Sequence, residues 1–272
     1  MLPWFFRHYD PLVDQYFIYD DGSTDQSLAL LHAHPKVTLL PMPSYACPES
    51  RIESGRILQD SCWHASRGKA DWVIVTDIDE HLYHPDIHNY LRRMVKAGVS
   101  MIPALGYEMI ADAFPDTDGR LCDLLVRGVP SPFYSKLNIF SPNLIETTGY
   151  EPGRHTAAPT GHVLLPAKDE LKLLHFKHID FDRLCERHKQ YLTRQRPQDL
   201  AMGWGGQYSW SDAKLKATWD LLHRKATNVL RHRWWPWQKA SKRLWWKHYP
   251  RDHHAQPFYR RWWQQRFVKP AI

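Results

Sequence analysis

The feature that most constrains this chain is a short apolar segment that ends in acidic residues. Trp72 to Val75 is an uncharged run rich in β-branched residues, which predicts a strand buried on both faces. Asp77 and Asp79 follow it, and in an extended chain they point to the same side. Paired carboxylates repel one another, so they usually persist where a cation or a cation-bearing ligand offsets the repulsion. The alternative is a solvated loop after a strand.

A second acidic strand end lies upstream. Gln15 to Tyr19 is predicted to be a short strand, and Asp20 and Asp21 follow it in a turn. A predicted helix, Gln26 to Ala33, and a predicted strand, Lys36 to Leu40, come next. This alternation predicts an α/β fold with a mostly parallel sheet flanked by helices, in which ligands bind beyond the carboxyl ends of the strands.

The rest of the chain supplies further helices and strands. The predicted helices are 51–65, 85–97, 180–194 and 212–230. The predicted strands are 100–105, 133–140 and 171–174. Residues 113–132 are rich in Asp, Gly and Pro, and they are predicted to form a long loop that faces the substrate.

Charge is distributed unevenly along the chain. Residues 231–269 hold eleven of the 36 Lys and Arg and one of the 29 acidic residues, so they carry +10 and the rest of the chain carries −3. The same segment contains seven of the 13 tryptophans. Tryptophan favours the membrane headgroup region and basic residues favour anionic lipid, so this tail is expected to attach to an anionic membrane surface. The alternatives are a tail folded back over the domain and a nucleic-acid contact, for which no binding motif appears.

The cysteines and the apolar segments indicate the compartment. No two cysteines have the short spacing of a zinc knuckle or a redox motif, so free thiols in a reducing cytoplasm are expected. No apolar run has the length of a signal-peptide core or of a membrane-spanning helix. The expected location is the cytoplasm, either in solution or on the inner face of the cytoplasmic membrane.

The two acidic strand ends together carry a resemblance to a known family. Tyr19-Asp-Asp-Gly-Ser-Thr-Asp25 and Thr76-Asp-Ile-Asp-Glu80 resemble the paired signatures of family 2 glycosyltransferases. Further agreements are Leu2-Pro-Trp-Phe-Phe-Arg-His-Tyr9, Tyr134-Ser-Lys136, Gly153-Arg-His155, Leu174-His-Phe176 and Gly203-Trp-Gly205. The resemblance implies a GT-A fold over residues 1–210, followed by a helical, Trp- and Arg-rich appendage over 211–272.

The resemblance also implies a divalent cation, Mn²⁺ or Mg²⁺. Asp79 would hold the metal, His175 is the first choice for a further ligand, and His155 is the alternative. Hard oxygen ligands suit these ions, whereas zinc would favour more His or Cys.

The donor implied by the resemblance is a nucleotide-diphospho-sugar. Asp20 or Asp21 would bind the base or the ribose, and Asp77 the ribose. Lys136 or Arg154 could neutralise the diphosphate.

Inversion at the anomeric carbon would need a carboxylate that deprotonates the acceptor hydroxyl. Glu108 is favoured for this role because it follows the predicted strand 100–105. The other candidates are Asp112, Asp116 and Glu151. Trp204 and Trp210 could stack on an acceptor sugar or pack on the core.

One departure from the family concerns the start of the domain. Family members begin with an additional strand that forms part of the nucleotide pocket, whereas residue 1 here already lies in the predicted helix that follows it. The first strand is therefore expected to be missing, and its loss would open the pocket and expose a sheet edge.

The leading hypothesis is a metal-dependent glycosyltransferase that acts on an envelope or capsular glycan or on a lipid-linked acceptor. A non-catalytic GT-A-like protein that binds carbohydrate or membrane is the first alternative. A metal-dependent phosphoester hydrolase is the second, because clustered carboxylates also hold the ions of such enzymes. The Asp20-Asp-Gly-Ser23 sequence favours the transferase over the hydrolase.

Overall fold

The structure is a computed structural model that describes residues 1–42, 46–231 and 243–256. Its helices are α1 Leu2–Tyr9, α2 Ser27–Ala33, α3 Arg51–Ser61, α4 Ile87–Lys96, α5 Leu121–Leu124, α6 Phe181–Arg194, α7 Pro197–Ala201 and α8 Asp212–Lys225. Its strands are β1 Tyr16–Asp20, β2 Val37–Pro41, β3 Val73–Ile74, β4 Glu80–Tyr83, β5 Met101–Ala111, β6 Arg127–Pro130, β7 Lys136–Phe140, β8 Ile145–Thr147, β9 Thr160–Gly161, β10 Lys172–Ile179 and β11 Thr227–Asn228.

The chain is mixed α/β, as predicted, but its central sheet is not mostly parallel. In this seven-stranded sheet β5 and β10 are parallel, while β5 with β6 and β7, β10 with β4, β7 with β3 and β6 with β11 are antiparallel. The parallel prediction rested on alternation of strand and helix, which holds only in the first part of the chain. After β5 the strands β6 and β7 follow without a long crossover helix, and short connections return the chain antiparallel.

β5 lies at the centre of the sheet and is the longest of its described strands. Nearly all of its side chains are buried, and those of β10 beside it are mostly buried too, although β10 carries two lysines and two histidines. Glu108 of β5 lies opposite His175 of β10 in the parallel ladder. The carboxyl group of Glu108 and the imidazole of His175 are therefore neighbours at the centre of the sheet.

β1 and β2 form a separate two-stranded parallel sheet. The apolar face of α1 connects it to the central sheet: Phe5 packs against Tyr16 of β1 with ring centroids 5.7 Å apart, and the Tyr9 hydroxyl donates to the Glu80 carbonyl at 2.9 Å. Within the described residues, the second edges of β1 and of β3 pair with no strand. The additional first strand of the resembled family was expected to be missing, and in the described part of the chain no strand pairs with either of these edges.

After residue 210, the described ranges 211–231 and 243–256 pack against the central sheet and its core. α8 packs beside β6, and β11 extends the sheet at the edge of β6. Trp246 is fully buried in the core, and its indole N–H donates to Asp169 Oδ1 at 3.0 Å. Residues 243–256 contain two short 3₁₀ turns, Trp245–His248 and Arg251–His253, in place of the predicted helix.

Residues 243–256 fold back over the domain, which was one of the alternatives for the tail. Five of the tail's tryptophans lie outside the described residues: Trp234, Trp235, Trp237, Trp262 and Trp263. No helix in the described ranges is long and apolar enough to cross a membrane. The four cysteines have free thiols, as predicted: Cys47, Cys62, Cys122 and Cys185.

Candidate functional site

A cavity of about 2740 Å³ is lined by both acidic strand ends. Asp20 and Asp21 enter its wall from the end of β1, and Asp77 and Asp79 enter it from the turn between β3 and β4. Residues of β5, β10 and α6 complete the wall. Pockets for a single small ligand typically measure about 300–1,000 Å³, so this cavity exceeds the volume that one such ligand needs.

Asp79 is one of the buried carboxylates that line the cavity. It is 1% exposed, its Oδ2 accepts a hydrogen bond from Arg187 Nη1 at 2.7 Å, and His175 Nε2 lies 3.5 Å from the same oxygen. Burial favours the neutral acid, but the charge of Arg187 and the contact with His175 outweigh it and hold the pKa of Asp79 well below its usual range. Asp79 is therefore ionised, with its charge offset from α6 and β10.

Glu80 begins β4 and is buried in its own ion-pair network. Lys136 Nζ donates to Glu80 Oε1 at 2.6 Å, and Arg154 Nη2 and Asn138 Nδ2 donate to Oε2 at 2.8 and 3.1 Å. Burial raises the pKa of Glu80, but the charges of Lys136 and Arg154 lower that pKa by more than burial raises it. The carboxyl group is therefore ionised. Lys136 and Arg154 thus neutralise Glu80 instead of projecting free charge toward a diphosphate, which differs from the sequence prediction.

The three acidic residues expected to bind the nucleotide differ in their surroundings. Asp20 caps its own turn, since its carboxylate accepts from the backbone N–H groups of Gly22 and Ser23. Asp21 is paired with Arg51, whose Nε and Nη2 both lie 2.8 Å from Oδ2. Asp77 has a side chain that is 54% exposed toward the cavity, and among the described residues its ion-pair partner is Arg154, at 3.4 Å. Asp77 is therefore the most accessible of the three.

The structure separates the two histidines considered as metal ligands. His175 contacts Asp79, whereas the Nδ1 of His155 is hydrogen-bonded to the Phe133 carbonyl at 2.7 Å. The two imidazoles lie on either side of Tyr134, with ring centroids 4.7 and 5.6 Å from it. Mg²⁺ in nucleotide enzymes commonly takes one or two protein ligands and completes its shell with phosphate oxygens and water. Asp79 with His175 fits such a partial shell.

Three cationic residues around Asp79 were not identified from the sequence: Arg183, Arg187 and Lys177. Arg183 and Arg187 are one turn apart on α6, and both line the cavity. Arg183 Nη1 is buried and has no hydrogen-bond partner among the described residues. Burial lowers the pKa of Lys177 on β10 to about 8, and Arg187 contributes in the same direction. The spacing of the arginines is visible in the sequence, but a solvated helix face has the same pattern.

Glu108 has the properties expected of a proton acceptor. Burial raises its pKa, and the hydroxyl of Ser131 partly offsets that effect. His178 Nδ1 lies 3.8 Å from its Oε2, and burial holds the pKa of His178 well below its usual range, so the ring is neutral. Trp204 and Trp210 also line the cavity, as an acceptor-stacking role would require.

The site thus combines an ionised buried carboxylate, several cations and a carboxyl group of raised pKa. No known protein family matches the chain, and no curated protein sequence does. What the site can do is judged from these side chains and their chemistry.

Proposed function

We propose that this protein is a glycosyltransferase that moves a sugar from a nucleotide-diphospho-sugar to a glycan or a lipid-linked acceptor. The observation that carries the proposal is that a cavity lined by the acidic end of β1 also holds the ionised Asp79, Arg187 and Arg183, whose buried Nη1 has no hydrogen-bond partner among the described residues. Cations beside a carboxylate in a large cavity suit a ligand that brings both phosphate and a metal ion.

The diphosphate of the donor is the natural partner of the α6 arginines. Arg183 has a buried N–H group with no partner, and a phosphate oxygen would satisfy it. Lys177 adds a further positive charge at neutral pH. The exposed Asp77 can accept hydrogen bonds from ribose hydroxyls. Glu108 lines the same cavity as these groups.

Asp79 and His175 would hold the divalent cation, Mg²⁺ or Mn²⁺. When bound, the cation supplies Lewis-acid neutralisation of the departing diphosphate. Arg187 keeps Asp79 ionised and fixes its Oδ2, so the carboxylate is ready as a ligand without a change of protonation. The α6 arginines stabilise the same developing negative charge from the protein side.

Glu108 would act as the general base. In a direct displacement the acceptor oxygen bonds to the anomeric carbon, the bond from that carbon to the diphosphate oxygen breaks, and the hydroxyl proton passes to Glu108. A carboxylate of raised pKa is a stronger base than an ordinary one, and such groups typically contribute about 10²–10⁴-fold.

Isothermal titration calorimetry with UDP-, GDP- and dTDP-sugars, with and without Mn²⁺, tests the proposal. We expect one nucleotide to bind in a metal-dependent manner, and Asp79→Ala to lose that dependence. The matched control is Asp220→Ala, which removes a carboxylate paired with Lys216 on the surface of α8. Absence of binding by any nucleotide to the wild-type chain would refute the proposal, and unchanged binding in Asp79→Ala would remove Asp79 from its role.

The alternative of a phosphoester hydrolase has less support. Two-metal hydrolases need several carboxylates around one centre. Across residues 1–42, 46–231 and 243–256, no three His, Cys, Asp or Glu side chains converge in a way that could hold a metal. A one-metal shell completed by a donor diphosphate needs fewer protein ligands, which favours the transferase.

We also propose that the protein is cytoplasmic and attaches to the inner membrane surface. Residues 231–269 are strongly basic, and basic residues are attracted to anionic lipid. Co-sedimentation with anionic vesicles measures it. The buried Trp246 takes no part in such contact, so binding is expected to survive Trp246→Phe. Undiminished vesicle binding after removal of residues 257–272 and neutralisation of the basic residues of 231–243 would contradict it.

A further inference from the structure

Phe133 is an exposed aromatic residue in the wall of the cavity. It lies in the 3₁₀ turn Pro132–Tyr134, between β6 and β7, and its side chain is 61% exposed although the same turn borders the core. Single exposed apolar residues are common on protein surfaces, so what distinguishes Phe133 is its place in the cavity wall and the ring contacts that hold it.

The ring of Phe133 is held in a fixed position. It stacks on the imidazole of His155 with centroids 3.7 Å apart and an interplanar angle of 23°, and Tyr134 abuts it edge-on at 5.3 Å. His155 is fixed in turn because its Nδ1–H donates to the Phe133 carbonyl. One face of Phe133 is thus covered, and its orientation is set before any ligand arrives.

The backbone beneath this pair is strained. Arg154 has a φ of 58° although it is not glycine, and Gly153 before it has a φ of 75°. A Cβ atom on Gly153 would lie 2.7 Å from His155 Nε2, so only glycine leaves room for the ring. The buried ion pair of Arg154 with Glu80 holds this conformation. Backbone strain of this kind is concentrated at ligand-binding sites.

The stacked pair is uncharged at neutral pH. Burial lowers the pKa of His155 to about 3, with a further contribution from Lys136. Since Nδ1 carries the hydrogen, Nε2 carries the lone pair and can accept a hydrogen bond. The pair offers an aromatic face and one neutral acceptor, and no cation for a phosphate.

The pair lies close to the Asp79 centre. Tyr134 stands between them, with its ring 5.6 Å from His155 and 4.7 Å from His175, and His175 lies 3.5 Å from Asp79. The face of an aromatic ring is negative, so it attracts the weakly positive C–H hydrogens on one face of a pyranose ring. Hydroxyl groups at the edge of the same sugar can donate to a neutral imidazole.

We infer that Phe133 and His155 form the acceptor subsite, a platform for the pyranose ring that receives the transferred sugar. This inference rests on the proposed function and deepens it, since it makes the acceptor a glycan whose terminal residue is a sugar rather than a polypeptide or a bare lipid phosphate.

Saturation-transfer NMR on the full chain with a panel of methyl pyranosides tests the platform. The panel contains the methyl glycosides of glucose, galactose, mannose and N-acetylglucosamine, each with the best-binding nucleotide and Mn²⁺ present. We expect at least one pyranoside to bind the wild type, Phe133→Ala to weaken it roughly two- to tenfold, and Phe133→Tyr to retain it. Leu200→Ala is the control, because Leu200 is 59% exposed and does not line the cavity.

Failure of the platform and failure of the proposed function give different results. Equal pyranoside binding by the wild type and Phe133→Ala overturns the platform, and so does nucleotide binding with no pyranoside signal at all. Equal weakening in Leu200→Ala also overturns it, since the effect would then be general. Loss of nucleotide binding in the wild type refutes the proposed function instead. Calorimetric nucleotide affinity is expected to be the same in Phe133→Ala and the wild type, which keeps the acceptor effect distinct from damage to the donor site.

Discussion

Removing Arg187 is expected to destabilise the protein more than neutralising its partner Asp79. Asp79 is 1% exposed, so Arg187→Met leaves a buried carboxylate with His175 as its nearest remaining offset, at 3.5 Å. Breaking a buried ion pair by removal of one partner costs about 3–5 kcal/mol. For a chain of this size that loss corresponds to a melting temperature lower by roughly 6–20 °C.

The reverse change has a smaller expected cost. Asp79→Asn leaves a guanidinium whose side chain is 23% exposed, and it can turn toward water in the cavity. The cost is then closer to that of one unsatisfied polar group, about 1–3 kcal/mol. In the double variant Asp79→Asn with Arg187→Met no unpaired carboxylate remains, so stability is expected to recover above that of Arg187→Met alone.

Urea unfolding and thermal scans of the four proteins measure this cycle, and calorimetry measures nucleotide binding in each. Equal stability of Arg187→Met and the wild type would refute the claim that Arg187 offsets the buried charge. If the double variant regains stability and binds nucleotide as well as the wild type does, Arg187 has no role at the diphosphate. Recovered stability would support the charge-offset role, and weaker nucleotide binding in the double variant than in Asp79→Asn alone would support the role at the diphosphate.

Three further outcomes follow from other side chains of the site and core. Glu108→Gln is expected to lower kcat by roughly 10²–10⁴-fold at unchanged nucleotide affinity, and wild-type activity is expected to rise with pH through a pKa above that of an ordinary carboxylate, measured by initial rates. Donor affinity is expected to fall as pH rises through about 8, where Lys177 loses its charge; titrations of Lys177→Met should lack this dependence. Because the pKa of Asp79 and that of Glu80 are both depressed on folding, the stability they contribute is complete above about pH 4 and is lost as pH falls below it, which acid titrations of the unfolding free energy can follow.

The sequence predicted where the acidic strand ends lie, because local signals define them. An apolar β-branched run followed by aspartates is readable at Trp72 to Asp79, and the structure brings this end and the end of β1 to one cavity. The amphipathic face of α1 was equally readable, since Phe5 and Tyr9 are one helical turn apart. Short-range periodicity carries this information in both cases.

The pairing of charges was not predictable, since it depends on contacts distant in sequence. Glu80 to Tyr83 was not among the predicted strands, yet it forms β4. Its charge is compensated by Lys136 and Arg154, which lie 56 and 74 residues further along the chain. Because this distant ion pair is not visible in the sequence, Lys136 was predicted to be free to bind a diphosphate. A pattern cannot indicate which cation a buried carboxylate will meet.

The strand directions after β5 were missed for a topological reason. The Gly- and Pro-containing stretch 113–132 was predicted to be a loop, but it contains α5 and β6, which joins β5 antiparallel through Glu108 and Val129. Gly128 and the prolines near it disfavour a strand by composition, while the ladder with β5 stabilises one. Tertiary pairing outweighed local propensity here.

Because β1 and β2 share no ladder hydrogen bonds with the central sheet in the described part of the chain, we expect the two parts of the site to behave as separate cooperative units. Proteins open in such units, and those with few shared hydrogen bonds open independently. The β1–β2 pair carries the wall of Asp20 and Asp21, the central sheet carries Asp79 and Glu108, and α1 joins them by side-chain packing. A donor that spans the cavity would tie the units together. Its binding energy would therefore appear as slower amide exchange in β1 and β2, while exchange in β5, already protected by the core, would change little.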